Sequence, residues 1–252
     1  TQDSGRLIAS IIKEMGLDKD VYKFKQIRNR ISAFKNSLIT VKAYFNDPDL
    51  QETDSISRRP KMGEIYKQYV DRCFKAGAMD FDDLLLKTNE LLNMHPSVLA
   101  KYQDRFKYIL VDEYQDTNPV QNKLIIQLAK EHRNICVVGD PDQSIYAFRA
   151  ADIKNILQFE NNFPDVTVIP LEQNYRSTQI ILDAANSVIE QNHRPYAKNL
   201  WTDGEMGDQI SSIQVFDEKD EAEEVGREIR KIQDLKRYAL DDIAVFYRTN
   251  AQ

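Results

Sequence analysis

The spacing of apolar residues changes near residue 106, and this change constrains the fold more than any other feature. Residues 108–111 (YILV) and 135–138 (ICVV) are short apolar runs bounded by polar residues, a pattern typical of buried parallel strands. Between them, Asn118-Pro119 precedes apolar residues at helical spacing, with proline near the helix start. The order strand, helix, strand predicts a βαβ unit and an α/β fold.

The segments on either side of this unit differ from each other. Apolar residues three to four positions apart predict that residues 1–78 are all-helical. Residues 79–172 are expected to form an α/β domain with a third strand at 166–169. Residues 173–252 are expected to begin a second α/β domain. Its predicted elements are a long helix after Asn174, strands at 210–216 and 243–247, and an acidic helix at 220–235.

Composition and charge limit the classes of function. With 42% apolar and 29% charged residues, the chain has the composition of a soluble globular protein. No apolar run approaches the ~18 residues of a membrane span, and a signal peptide pattern is missing, so we expect a cytoplasmic protein without membrane contact. The net charge is +5 over residues 1–78, −6 over 79–172 and −5 over 173–252. The basic segment fits either a phosphate-contacting face or an ordinary solvated helical surface.

Two carboxylates follow the first apolar run. Asp112 and Glu113 stand at its C-terminal end, where open α/β sheets bind their ligands. One carboxylate can hold Mg²⁺ while the next, pointing differently, orients a water toward a γ-phosphate. Acidic pairs at strand ends also serve as helix caps or solvated loops, so this pair alone leaves the function open.

Two further clusters follow strands. Residues 139–149 (GDPDQSIYAFR) combine an amide, Gln143, with aromatic rings at Tyr146 and Phe148. An amide can sense a phosphate, and each ring can stack on an unpaired base with about 1–3 kcal/mol. The alternative is that both rings belong to the core.

Residues 171–178 (LEQNYRST) join a strand to a helix. Tyr175 can stack on an adenine, and the guanidinium of Arg176 suits a transferring γ-phosphate. The alternative is that Ser177 or Thr178 caps the helix while Arg176 pairs with a surface carboxylate.

The three clusters occur together, in one order, as DEYQDTN (112–118), GDPDQSIYAFRAAD (139–152) and LEQNYRST (171–178). This run closely resembles motifs II, III and IV of superfamily 1 DNA helicases of the UvrD/Rep/PcrA type. Further likeness lies in DFDDL (80–84) and YRTNAQ (247–252). The resemblance is sharp over about 80–252 and looser over 1–78.

The resemblance implies a partial RecA-like P-loop NTPase core. Residues 1–78 would be a helical insertion subdomain, 79–172 part of the first RecA-like domain, and 173–252 the start of the second. It further implies ATP and Mg²⁺ as cofactors, and single-stranded DNA and duplex/single-strand junctions as partners. The implied activity is ATP hydrolysis coupled to translocation on single-stranded DNA and to duplex unwinding, with 3′ to 5′ polarity.

The same resemblance implies roles around the nucleotide. Asp112 would coordinate Mg²⁺, Glu113 would activate the attacking water, and Gln143 would couple the γ-phosphate to the DNA site. Tyr175 would stack on the adenine, and Arg176 would act as an arginine finger.

The DNA-contacting residues implied by the resemblance are Tyr146, Phe148 and Arg149. Two positions depart from the family pattern. Family members commonly carry Trp where Phe148 stands, so the stacking face is kept but smaller. They commonly carry Gly where Ala150 stands.

A phosphate loop is missing from the sequence, because the eight glycines form no G-x-x-x-x-G-K-[ST] pattern. In the family this loop lies upstream of the helical insertion, so we expect the chain to be an internal part of a longer protein. The loop supplies much of the charge stabilisation for phosphoryl transfer, so we expect these residues alone to hydrolyse almost no ATP. The alternatives are a truncated, non-catalytic DNA-binding or interaction module and part of a helicase–nuclease subunit.

Overall fold

The structure is a computed structural model that describes residues 2–192, 198–235 and 238–248. It contains two compact units, which divide in sequence between Ile169 and Pro170. As a whole it is a helix-rich α/β chain with a small parallel sheet.

Seven helices precede the first strand of the first unit: α1 (Gln2–Glu14), α2 (Phe24–Asn36), α3 (Val41–Phe45), α4 (Pro48–Ile56), α5 (Met62–Lys75), α6 (Phe81–Met94) and α7 (Pro96–Arg105). The helices predicted over the first 78 residues are therefore confirmed for the described residues 2–78. The domain boundary at residue 78 stays a prediction.

The helical region, residues 2–75, has its own apolar core of twelve buried side chains. They come from α1, α2, α3 and α5 and from the turn after α1. They are Ile8, Ile11, Ile12, Tyr22, Ile27, Ile31, Phe34, Tyr44, Met62, Ile65, Tyr66 and Tyr69. Their spacing of three to four residues places them on one face of each longer helix, which is why these helices pack together.

The predicted βαβ unit is confirmed. Strands β1 (Ile109–Val111) and β2 (Ile135–Val137) pair in parallel, with Ile109 opposite Ile135 and Val111 opposite Val137. Helix α8 (Pro119–Ala129) connects them. It begins with a capping box between Asn118 and Gln121 and with proline in its first turn, a combination that satisfies the free backbone N–H groups of a helix start.

Two short helices, α9 (Lys154–Leu157) and α10 (Phe159–Asn162), complete the first unit. A small apolar cluster around Tyr114, Ala129, Phe159 and Phe163 covers one face of the sheet. The prediction that the strands are buried on both faces is wrong: Leu110 is 78% exposed and Cys136 is exposed. The helices pack against the other face only.

In the second unit, the described helices are α11 (Gln179–Ile189) and α12 (Glu218–Asp234). The strands predicted at 166–169, 210–216 and 243–247 are not formed among the described residues. A strand exists only where a neighbouring segment supplies main-chain hydrogen bonds, and no described segment supplies them to these apolar runs. The second unit contains one isolated parallel bridge, between Gln173 and Trp201.

Candidate functional site

The backbone turns sharply at the second of the two carboxylate residues after β1. Glu113 adopts a left-handed conformation, with φ 49° and ψ 43°. Its N–H donates to Oδ1 of Asp112 at 2.9 Å. Both side chains are exposed at the carboxyl end of the sheet. The arrangement leaves two adjacent residues with carboxylates exposed to solvent.

The loop after β2 lies beside this carboxylate pair. The N–H of Val138 donates to the carbonyl oxygen of Val111 at 2.8 Å, and the N–H of Tyr114 donates to the carbonyl oxygen of Val138 at 3.0 Å. The hydrogen bonds between the two segments therefore continue past the ends of both strands. Asp112 and residues 139–143 therefore both follow strands at the carboxyl end of the sheet, where open α/β sheets bind their ligands.

Gln143 is exposed and held by its own loop. Its Nε2 donates to Oδ2 of Asp140 at 2.7 Å, while Oδ1 of Asp140 accepts from the N–H of Asp142 at 3.0 Å. Asp140 thus fixes the turn at 141–143 and orients the Gln143 amide. In this structure the amide contacts Asp140 rather than Glu113.

The aromatic residues of the same loop form an exposed cluster. The rings of Tyr146 and Phe148 lie 5.8 Å apart, and the guanidinium of Arg149 lies 5.2 Å and 5.5 Å from their centres. Phe148 is 78% exposed and Tyr146 is 36% exposed. The alternative that both rings belong to the core is therefore wrong.

Ala150 closes this cluster in a left-handed conformation, with φ 65° and ψ 18°. Glycine adopts this conformation without steric penalty, whereas a residue with a Cβ does not. The backbone thus gives a physical reason for the glycine that the family commonly has at this position.

Sequence reasoning missed a polar network behind the site. The N–H of Asp152 donates to the carbonyl oxygen of Thr117 at 3.0 Å. Nδ2 of Asn155 donates to the same oxygen at 2.8 Å, and Nδ2 of Asn122 donates to Oδ1 of Asn155 at 2.8 Å. The Tyr114 hydroxyl donates to Asn122, and burial raises the pKa of Tyr114 to about 12. The network ties the segment after the carboxylates to the segment after the aromatic cluster.

Sequence reasoning also missed a buried ion cluster at the DFDDL segment. The ammonium of Lys35, which is fully buried, lies 2.7 Å from Asp80 Oδ2 and 2.8 Å from Asp83 Oδ1. The Tyr69 hydroxyl donates to Asp80 Oδ2 at 2.8 Å. Burial acts to raise the pKa of Asp80, but the Lys35 ammonium and the Asp83 and Tyr69 donors outweigh it, so this pKa lies below its ordinary value. Asp80 also caps α6.

The 171–178 segment lies in the second unit. Tyr175 is 86% exposed, and its hydroxyl donates to Oε1 of Gln173 at 2.9 Å. Oδ1 of Asn174 accepts from the N–H groups of Arg176 and Ser177, both at 2.8 Å. The exposed Arg176 forms no ion pair with a described residue.

The alternative of helix capping is also wrong for this segment. Thr178 is the N-cap of α11 but its side chain makes no capping hydrogen bond. Asn174 instead shapes the turn that presents Tyr175 and Arg176 to solvent.

Comparison with known proteins agrees with these motifs. The UvrD/REP helicase N-terminal domain matches residues 1–164, and the UvrD-like helicase C-terminal domain matches residues 169–252. The chain belongs to the UvrD/REP helicase family. The resemblance inferred from the sequence is thereby confirmed.

Relatives within this helicase family match along the whole chain. The chain is 43% identical over 252 residues to the ATP-dependent DNA helicase PcrA of Bacillus subtilis (strain 168), covering 100% of the chain and 33% of the relative. It is 42% identical over 248 residues to the protein of that name from Leuconostoc citreum, covering 98% and 32%. A Staphylococcus aureus (strain Mu50 / ATCC 700699) PcrA is 43% identical, covering 99% and 33%. The chain spans about a third of the length of these relatives.

The family motif at the end of the chain is described only in part, because residues 249–252 lie outside the described residues. None of the described helices is both long and apolar enough to cross a membrane. The described residues contain no group of three or more His, Cys, Asp or Glu placed to hold a metal ion. Mg²⁺ at nucleotide sites needs fewer protein ligands, since it keeps waters and binds phosphates alongside one or two carboxylates. Asp112 fits that requirement.

Proposed function

We propose that this chain is the part of an ATP-dependent DNA helicase that links the catalytic carboxylates to a single-stranded DNA contact. One observation carries the proposal. Asp112 and Glu113 share one sheet edge with a loop that presents Gln143 and then the exposed aromatic cluster. A nucleotide and a DNA strand bound there would meet a single connected segment.

In this proposal the chain carries part of a RecA-like core. Residues 1–78 are the helical insertion subdomain, 79–172 part of the first RecA-like domain, and 173–252 the start of the second. The whole protein uses ATP and Mg²⁺ to move along single-stranded DNA with 3′ to 5′ polarity and to unwind the duplex. The family membership and the motif order support this assignment.

The proposed roles are those that the family resemblance implies, and the exposure of the residues supports them. Asp112 holds Mg²⁺ through its exposed carboxylate, and the metal supplies charge neutralisation at the phosphates. Glu113, whose carboxylate is exposed, orients the attacking water and accepts its proton. Gln143 senses the γ-phosphate with its exposed amide.

For two residues of the second unit we propose contacts with the nucleotide. Tyr175 offers an exposed ring for the adenine, and Arg176 has a guanidinium without an ion-pair partner among the described residues. A planar, permanently charged guanidinium suits the charge that develops on a transferring phosphoryl group.

The test is binding of fluorescent oligo-dT to the 252-residue chain. Because a stacked base contributes about 1–3 kcal/mol, Phe148→Ala should weaken binding roughly 5- to 150-fold. Tyr108→Ala is the matched control, since Tyr108 is 76% exposed and lies outside the loop. Equal affinity of the Phe148 variant and the wild type would overturn the proposed DNA contact.

The same samples test the catalytic part of the proposal. The chain by itself should turn over almost no ATP, with or without DNA, because it has no G-x-x-x-x-G-K-[ST] loop. DNA-stimulated turnover that Glu113→Gln abolishes would contradict this and indicate a phosphate cradle elsewhere in the chain.

For the duplex arm of a junction, we propose the groove between α1 and α2. This groove of about 790 Å³ is lined by Phe24 and by four lysines, Lys13, Lys19, Lys23 and Lys25. None of the four forms an ion pair with a described residue. Unpaired cations along a groove are what phosphate contacts require.

The proposed groove can be tested by measuring how the affinity of the chain for a duplex with a single-stranded tail depends on salt concentration. A plot of log affinity against log salt concentration has a negative slope, and each lost phosphate contact makes it shallower by about 0.9. The double variant Lys23→Gln with Lys25→Gln should therefore have a slope shallower by about 1.8. Lys67→Gln is the control, because Lys67 pairs with Asp71 at 2.7 Å. An unchanged slope in the double variant would exclude the groove.

A further inference from the structure

Gln115 has no role in the assignment above, although it lies between the carboxylates and the DNA-facing loop. Its side chain is buried, with 1% exposure. Nε2 donates to Oε2 of Glu113 at 2.8 Å, and Oε1 accepts from the N–H of Asp140 at 2.9 Å. One amide therefore joins the proposed catalytic carboxylate to the first turn of the 139–149 loop.

The packing around Gln115 leaves little freedom to this link. A Cβ on Gly139 would lie 2.6 Å from Oε1 of Gln115 and 3.1 Å from the backbone N of Tyr114. The loop approaches this closely because position 139 has no side chain. A shift of the Asp140 backbone must therefore move the Gln115 amide or leave the buried Gln115 Oε1 without its donor, and an unsatisfied buried group is unfavourable.

The other candidate for this link is Gln143, which contacts Asp140 within its own loop. Gln143 is also exposed, so solvent competes for its amide. Gln115 differs in both respects, since one of its hydrogen bonds reaches the other loop at Asp140 and its side chain is buried. A hydrogen bond to a buried group is electrostatically stronger than one to a solvated group.

We propose that Gln115 is a positioning residue that sets the Glu113 carboxylate according to the position of the 139–149 loop. Single-stranded DNA bound at Tyr146 and Phe148 is thereby sensed at Glu113. The inference rests on the proposed function, because it takes Glu113 as the group that acts on water and the aromatic cluster as the DNA contact.

The experiment is an NMR titration of the isotope-labelled 252-residue chain with oligo-dT, which needs no ATP turnover. The signals followed are the Glu113 side-chain carboxyl carbon and the backbone amides of residues 140–149. In the wild type, both groups of signals should shift on DNA addition with one common dissociation constant.

Two substitutions remove the link in different ways. Gln115→Glu keeps an acceptor for the Asp140 N–H but, when ionised, has no donor for Glu113. Gln115→Met removes both hydrogen bonds. In each variant the loop amides should still shift, whereas the DNA-induced shift of the Glu113 carboxyl should fall at least five-fold. Gln127→Met, a glutamine that contacts Asn93 away from the site, should leave both shifts unchanged and controls for general loss of structure.

The outcomes separate the inference from the function on which it rests. A full Glu113 response in Gln115→Glu, together with its loss in Gln143→Met, would overturn the inference and place the link at Gln143. If DNA shifts neither group of signals in the wild type, the proposed DNA contact itself fails. If DNA shifts the loop but not Glu113 in the wild type, the contact stands and the sensing role of Gln115 is excluded.

Discussion

The helical region of residues 2–75 and the second unit differ in how they bury apolar side chains. The helical region has twelve buried apolar residues in one core. In the described part of the second unit, Leu182 is the one buried apolar side chain, and α12 buries none. Phe216 and Phe246 are 93% and 94% exposed. Because apolar burial drives folding, stability is concentrated in the helical region, while residues proposed for chemistry also lie where burial is sparse.

Hydrogen exchange tests whether the difference in apolar burial produces a difference in local stability. Amides in α2 and α5 should open only with global unfolding, whereas those in α12 should exchange through local opening. For a domain of ordinary stability we expect at least a ~1000-fold difference in protection, corresponding to about 4 kcal/mol. Similar protection of α5 and α12 in a mass-spectrometric time course would show that burial does not set local stability here.

The buried ion cluster of Lys35, Asp80 and Asp83 allows a second test, in which a buried ion pair is compared with an exposed one. Lys35→Met leaves Asp80 and Asp83 close together without their cation, and breaking a buried pair in this way costs about 3–5 kcal/mol. Lys87→Met is the control, since the exposed pair of Lys87 with Glu90 should contribute less than about 1 kcal/mol. Urea unfolding of both variants gives the free energies. A small loss for Lys35→Met would mean that the cluster contributes little.

The same variant should invert the dependence of stability on pH. In the wild type the pKa of Asp80 is lowered, so its stabilisation is present above the unfolded value of about 3.9 and is lost as the pH falls further. Without the cation, burial raises the folded pKa, so the variant should gain stability as the pH falls from 7 to 4. A wild-type-like pH profile in the variant would contradict this cause.

Much of the fold could be predicted because helices and the βαβ unit are encoded by local spacing. The helix at 119–129 and the strand pair followed from residues within about 30 positions of one another. Local spacing could not show whether strands form at 166–169, 210–216 and 243–247, because a strand depends on a partner elsewhere in the chain.

In the candidate site, too, local features could be predicted whereas contacts between distant residues could not. The sheet-edge placement of Asp112 followed from its position after an apolar run. The hydrogen bond between Gln115 and the Asp140 N–H joins residues 25 positions apart, and the ion pair of Lys35 with Asp80 joins residues 45 positions apart. No local pattern marks these partners. The sequence nonetheless offered two signals: Gln115 lies inside the DEYQDTN motif, and Asp80 and Asp83 stand at a predicted helix start.

The smallest expected effect concerns backbone conformation in the 139–150 loop rather than core packing. Ala150→Gly relieves a left-handed alanine and should stabilise the chain by about 0.5–1 kcal/mol. Ala147→Gly, in the preceding turn with negative φ, should destabilise it by a similar amount, roughly 0.5–1 kcal/mol. Thermal unfolding of the two variants should show opposite shifts. Shifts of equal sign would mean that the conformation at position 150 carries no strain.

The left-handed backbone at Glu113 has a consequence for how this segment responds to selection. Most side chains with a Cβ are disfavoured there by roughly 1–2 kcal/mol. Glycine avoids this penalty, and asparagine tolerates the conformation because its short side chain can hydrogen-bond locally. A library at position 113 selected only for heat resistance should drift toward those residues. A library selected for turnover in the whole helicase should retain glutamate. Durability and reactivity thus make opposite demands on one position.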